Sequence, residues 1–506
     1  MKKIVKLLSA VTLLSVVSCG EDRFLNTHPT QTVFAPPAAT QLNGLYVMMI
    51  NPETGGTTSH EDFGQKGVDV FTDLLSADMA MSNDAYRRYR NVVNLTATLN
   101  YDDTYNYIPW RYYYRLIKAA NGVVKSVGGN DAIPTSLDVK HALGQAKAMR
   151  AYAYFYLMQL YTTGYNPEEE AIPLYLEAGF SSAPKSKQSV VYQSIEKDLT
   201  DAITLLEGFE RTSKSMINKS VAQGLLAYTY AAQGKHRLAA EMSKAVMNSG
   251  VPISTREEIV RYKHDGVNET GGGFNNLDTN RSWLWGFDLI TENGLDLASW
   301  WGQIDVFTYS YQWAGNSKQI DETLYKSIKE DDIRKHQFIS IKKTGQGGRD
   351  YEVVSNDDDK STYRYVPANK FFAPEREIAK QRKISTDYVF MRVDEFHLLA
   401  AESLAKDGND AEAKSILKEY LKTRITNVDY IDNLSGKELQ DEIYKNTRIE
   451  FWGEGKSYLA MKRNRATITR GKNHLYYGGA SFSYDAPELT FEIPVQEVLD
   501  NPYINR

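Results

Sequence analysis

The sequence predicts a mainly α protein: an α-α superhelix of tetratricopeptide-like helix pairs, with an inserted loop-rich lobe holding a few short strands. Three observations predict it. Apolar residues recur at helical spacing through long stretches of the chain. A helix–turn–helix pattern occurs twice, in the same order and with nearly the same spacing. One long stretch between the two copies breaks the helical pattern with Gly, Asn and aromatic residues.

The periodicity is plainest over 143–161, where Leu143, Ala146, Met149, Ala153, Leu157 and Leu160 share a helical face. It recurs over 192–206 with Ile195, Leu199, Ala202, Ile203 and Leu206. The first repeat reads Leu225-Leu226-Ala227, then Gly234, then Ala239-Ala240. The second reads Leu398-Leu399-Ala400, then Gly408, then Ala411 and Ala413, with Glu412 between the alanines. Alanine at facing positions lets two helices approach closely, and glycine ends the first helix in a left-handed turn. Because the copies are not in tandem, the array is interrupted.

The interruption lies at about 251–365. Within it, Gly271-Gly272-Gly273, Trp283, Trp285, Trp300-Trp301, Tyr309, Tyr311 and Trp313 sit in a stretch of weak helical periodicity. Loops with short strands are expected there, one of them from Trp283 to Leu289, and the polar stretch 343–365 reads as a surface excursion. No linker separates a second domain, so 41–506 is expected to be a single body.

The N-terminus carries processing signals. Met1-Lys2-Lys3 is basic, and Ile4 to Val17 is mostly apolar but too short to span a bilayer. Small residues then lead to Cys19, the one cysteine in the chain. This resembles a bacterial lipobox, which implies a signal peptide over 1–18 and lipidation of Cys19. Residues 19–40 read as a lipidated terminus and polar, proline-bearing tether. Several acyl chains anchor a protein stably, since each buried methylene contributes roughly 0.8 kcal/mol.

Composition narrows the function. The chain has 506 residues and a net charge of −5, with no long basic run. Nucleic-acid binding needs a concentrated positive field, so it is not expected. The 8 histidines show no metal-ligand spacing, there is no Gly-x-Ser-x-Gly elbow, and Cys19 is committed to the anchor. Gly453-Glu454-Gly455-Lys456-Ser457 imitates the end of a phosphate loop, but Glu450 stands where that motif needs glycine. Asp357-Asp358-Asp359 lacks calcium-loop spacing. No catalytic residue, metal or cofactor is therefore expected, although a carboxylate pair for glycoside hydrolysis is defined in space and cannot be read from spacing. The aromatic cluster is the leading ligand candidate. Sugar rings offer C–H faces to aromatic rings and hydroxyls to polar side chains. Trp300, Trp301, Tyr309, Tyr311 and Trp313 interleave with polar residues that include Asp305 and Asn316. A second candidate is the segment 83–90, with Tyr86 and Tyr89.

In order along the chain, a set of motifs resembles the SusD/RagB-like outer-membrane lipoproteins. They are Phe24-Leu25-Asn26-Thr27-His28-Pro29 behind the lipobox, Trp110 to Asn121, Gln145 to Phe155 with Arg150 at its centre, and Val191-Tyr192 with Asp198. Arg392-x-x-Glu395, Arg448-x-Glu450 with Glu454-Gly455, and Phe491-x-Ile493-Pro494 follow. Asn26 replaces a usual Asp, and Asn446-Thr447 precede Arg448 where the family often has Glu-Arg. The resemblance implies four tetratricopeptide-like pairs beside a variable ligand lobe. It implies a cell-surface location on the outer membrane through the lipid anchor, and a SusC-like TonB-dependent transporter as partner. It also implies oligosaccharide or another glycan as cargo, with peptides or glycopeptides, or a surface glycosidase, as alternatives. The stretch 262–316 matches no fixed family motif, so no ligand residue carries over by identity.

Overall fold

Helix-forming residues bracketed by good caps set the frame of the computed structural model, which describes residues 37–179, 181–358 and 360–504. The expected signal peptide, Cys19 and most of the tether lie outside the described residues. From Ala38 on, the chain forms one compact unit. Residues 38–40, read as the end of the tether, instead open helix α1 (Ala38–Val47).

The main helices are α2 (Gln65–Leu75), α3 (Thr104–Ser126), α4 (Leu137–Tyr161), α5 (Gln188–Leu205), α6 (Lys219–Ala232), α7 (His236–Met247), α8 (Asp394–Lys406), α9 (Asp410–Leu421), α10 (Gly436–Glu450) and α11 (Ser457–Arg463). From α3 to α9 each packs against the next, and α10 lies against α8. Side-chain caps fix several starts: Asp103 accepts from the Tyr105 amide, Ser136 from Val139 and Asn218 from Val221.

Both predicted repeats are helix pairs, α6/α7 and α8/α9. Gly234 and Gly408 take φ of +73° and +83°. In each, the next amide reaches back over the turn: Lys235 N–H to the Tyr230 carbonyl at 3.0 Å, Asn409 N–H to Leu404 at 2.9 Å. Ala227, Ala239, Ala240, Ala400 and Ala413 are buried, but Ala411 faces solvent.

Helix α4 is buried on every side from Ala142 to Tyr161, because α3 and α5 cover opposite flanks. Burial includes Arg150. Its guanidinium holds both Asp198 oxygens at 2.8 Å and the Asn121 Oδ1 at 2.8 Å, stitching α5 and α3 to α4. A fork-to-fork arginine–carboxylate pair of this kind is strong and directional.

The lobe is inserted between α7 and α8, over residues 248–393, and so extends past 365. Its strand β2 (Trp283–Phe287) pairs antiparallel with β7 (Tyr388–Arg392), with Arg392 opposite Trp283, and this returns the chain to α8. The stretch 343–365 lies mostly at the surface, as expected, and contributes to a three-stranded antiparallel sheet of β4 (Ile339–Thr344), β5 (Asp350–Val354) and β6 (Tyr363–Val366), with β4 central. Strand β1 (Met79–Met81) pairs antiparallel with β3 (Lys318–Ile320), tying the chain before α3 to the lobe.

A buried ionic cluster locks the lobe to α10 and to the segments that follow α9 and α10. Arg392 donates to Glu450 at 3.0 Å and to Glu454 at 2.8 and 3.1 Å, and Arg424 donates to both Glu450 oxygens at 3.0 Å. Lys370 adds a 2.7 Å contact to Glu454. Glu454-Gly455-Lys456 belongs to this core: Lys456 is buried and donates to the Phe390 carbonyl at 2.8 Å. The segment therefore offers no phosphate cradle. No described helix is long and apolar enough to cross a membrane.

Candidate ligand-binding site

The two aromatic candidates, far apart in sequence, meet in space. Segment 82–88 runs beside 311–317: the Ser82 amide donates to the Ser317 carbonyl at 3.0 Å. Asn316 clamps the junction, accepting from the Arg88 amide at 2.9 Å and donating to the Arg88 carbonyl at 3.3 Å. Arg87 and Tyr89 both stand at φ +58°. Two left-handed residues flanking one position turn the chain sharply. Tyr86 is thereby thrown outward, 53% exposed, while Tyr89 is driven into the core, with Lys318 over its ring at 5.2 Å.

Tyr86 rests edge-on against Tyr311, with ring centroids 5.5 Å apart. Tyr311 is held from behind. Its hydroxyl shares a 2.7 Å hydrogen bond with His60 Nδ1, and the Arg88 guanidinium lies 4.7 Å from its ring centre. Arg88 in turn reaches buried Glu61 at 3.3 Å, and Glu61 also accepts from the Tyr105 hydroxyl at 3.0 Å. The second aromatic pair is Tyr309 and Trp313, 5.3 Å apart and both half-buried. Arg382 sits 3.9 Å from the Tyr309 ring centre, and the Tyr363 hydroxyl fixes the Trp313 carbonyl at 2.7 Å.

Beside Trp313 opens a cleft of about 730 Å³, with Asn83, Gln319, Lys343, Arg364 and Asn473 in its walls. The wall after α11 was not foreseen from sequence. The Leu475 amide donates to the Met81 carbonyl at 2.8 Å, and the Tyr476 hydroxyl donates to Asp84 at 2.9 Å. That leaves Leu475 and Tyr477 exposed near the 82–86 loop. His60, Tyr363 and Tyr476 were likewise missed, since no local motif marks them, whereas Arg88 lies in the expected segment 83–90.

Several expected ligand residues are corrected by burial. Trp300 and Trp301 are 2% and 1% exposed, packed on Phe371 within a short helix, Trp300–Ile304. Asp305 is buried as a turn anchor, accepting from the Phe307 and Ala373 amides and the Thr308 hydroxyl. Burial pushes its carboxyl up to about 6 in spite of those donors. Tyr89 and Asn316 are fully enclosed, and Tyr311 is nearly so. These residues shape the site without offering it a face. Tyr86, Tyr309 and Trp313 remain as accessible aromatic surface. Among the described residues no group of three or more His, Cys, Asp or Glu is arranged to hold a metal ion.

This fold defines a helical-repeat scaffold, and its partly exposed aromatic loops form a candidate surface site. The family model described as "Starch-binding associating with outer membrane" matches residues 40–231, and the model described as "SusD family" matches 205–503. The chain belongs to the SusD family. It is similar to SusD-like protein P2 of Formosa agariphila, 25% identical over 90% of both chains. Among solved structures it resembles a SusD-like carbohydrate binding protein from Bacteroides vulgatus, with TM-score 0.74, 22% identity, and coverage of 92% of this chain and 96% of that one. It also resembles surface glycan-binding protein A from Bacteroides thetaiotaomicron in complex with laminarihexaose, with TM-score 0.64, 14% identity, and coverage of 92% and 97%. These structural likenesses show a shared fold.

Proposed function

We propose that this protein is a surface-exposed, glycan-binding lipoprotein that captures oligosaccharide and delivers it to a TonB-dependent outer-membrane transporter. It acts by binding and not by catalysis. The observation that carries the reading is the outward Tyr86 backed by Tyr311, beside the half-open Tyr309–Trp313 pair and a polar cleft. Aromatic faces take up sugar C–H surfaces, while Asn83, Gln319 and Asn473 suit the hydroxyls. The glycan complex of the Bacteroides thetaiotaomicron relative supports the cargo class, and the family description supports association with the outer membrane. Lipidation at Cys19 would keep the site at the membrane and raise its effective concentration near the transporter.

Affinity electrophoresis against immobilised polysaccharides tests the reading. Retention by at least one glycan, lost on joint Tyr86→Ala and Trp313→Ala substitution, is the expected result. Unchanged retention in that variant places the site elsewhere. Retention of peptides alone replaces the cargo, and release of sugar products would sink the non-catalytic reading. Labelling with an alkynyl fatty acid that disappears in Cys19→Ala checks the anchor, and co-purification with a β-barrel transporter checks the partner.

A further inference from the structure

The cleft beside Trp313 has a positively charged lining. Lys343, Arg364 and Lys472 line it, and no described lining residue is a carboxylate. The protein as a whole carries −5. None of the three cations forms an ion pair among the described residues. Lys343 Nζ lies over two rings, 5.4 Å from the centre of Trp313 and 5.0 Å from that of Tyr363. Among the described residues the Arg364 guanidinium donates to the Asn356 carbonyl, at 3.0 Å, and leans on Tyr365. Glu322 accepts from the Lys472 backbone amide at 3.1 Å and from Lys326 Nζ at 3.4 Å. Asp321, behind the wall, is engaged by His474 at 3.2 Å and by the Gly471 and Leu324 amides.

Elsewhere many of the buried cations are neutralised, although Lys318, Lys462 and Arg470 are buried with no ion pair among the described residues. Arg150, Arg334, Arg392, Arg424, Arg448 and Arg463 each hold a carboxylate. Three unneutralised cations around one aromatic-walled cleft therefore form a positive pocket within an acidic molecule. A ligand with fixed negative charge gains Coulomb energy from all three, and a guanidinium can grip a carboxylate or sulfate through two parallel hydrogen bonds. A neutral glycan gains nothing from them.

The geometry points to an anionic glycan, one bearing uronate carboxylates or sulfate esters, as the cargo of this cleft. Trp313 takes a sugar face while Lys343, Arg364 and Lys472 take the charges. The inference rests on the glycan-capture reading and narrows its substrate class.

The test uses the full mature chain in calorimetric titrations. An oligogalacturonide is compared with its carboxyl-reduced form, and a sulfated galactan oligosaccharide with its desulfated form. At least one anionic member should bind about tenfold or more tightly than its neutral counterpart, and the advantage should shrink as salt rises. The variant Lys343→Gln/Arg364→Gln/Lys472→Gln, checked by its melting curve to be folded, should bind each anionic member no more tightly than its neutral counterpart and so erase the preference. Equal or tighter binding of the neutral partners overturns the anionic assignment but leaves glycan capture standing. A preference that survives the triple variant overturns the placement in this cleft. Absence of binding to all four oligosaccharides counts against both readings.

Discussion

Arg392 and Glu454 are bound together through Nε at 2.8 Å and Nη2 at 3.1 Å, with neither side chain open to water. Glu450, beside them, serves Arg392, Arg424 and Arg334. Burial alone would raise the Glu450 and Glu454 carboxyls, but the adjacent cations outweigh it and hold both below the usual carboxylate range. Depressed values in the folded state give stability that is present above about pH 4.3 and fades as pH falls through the folded values. Glu454→Gln should cost about 3–5 kcal/mol at neutral pH, because it leaves Arg392 and Lys370 under-neutralised. It should also flatten the acid limb of stability against pH. Chemical denaturation at several pH values measures both.

The opposite sign is expected at Lys318. Its ammonium is fully buried, meets the Gln303 and Asn316 carbonyls and the Tyr89 ring, and has no ion-pair partner among the described residues. Burial pushes it down to about 7, against the pull of Glu61. The unfolded chain keeps that proton to about pH 10, so native stability should rise between roughly pH 7 and 10. Lys318→Met should be more stable than the parent at pH 7, and the gap should close as pH rises. Thermal melts across that range would contradict this if the gap stayed constant.

Aromatic truncations should separate cleanly into two classes. Trp300→Ala removes a buried ring from the contact with Trp301 and Phe371, and should cost about 3–5 kcal/mol of stability. Tyr86→Ala should leave the melting temperature nearly unchanged and weaken glycan retention instead. A matched pair of melting curves and affinity gels checks the division.

Gly224 provides a test of packing against propensity. Alanine in a helix interior normally gains about 1 kcal/mol over glycine. At this position a Cβ would stand 2.4 Å from Phe396 Cζ and 2.9 Å from Met391 Sδ, both in the core. Overpacking of that order costs about 1–3 kcal/mol, so Gly224→Ala should lower the melting temperature.

The helical frame was legible because its signals are local. The spacing of Ala227, Gly234 and Ala240 is repeated by Ala400, Gly408 and Ala413, and both sets are helix pairs. The family motifs were legible as strings, but their purpose emerges only in space: Asn121, Arg150 and Asp198 are one hydrogen-bonded unit. The candidate site was half legible. Sequence marks Trp300 and Trp313 as equally aromatic, yet one lies on a short helix facing Phe371 and the other on a loop at the cleft. Facing is decided by tertiary packing, which composition does not encode. His60 and Tyr476 were invisible for a related reason, since they reach the site from opposite ends of the chain.

The cleft walls are supplied by three well-separated lengths of chain, at 82–83, 313–364 and 472–475, each anchored to the helical frame or to a neighbouring strand. Exchanging the tip of any one wall alters the width or charge of the opening without touching the other two. Such a cleft can be reshaped by small edits at its rim, while the helices beneath keep the same packing.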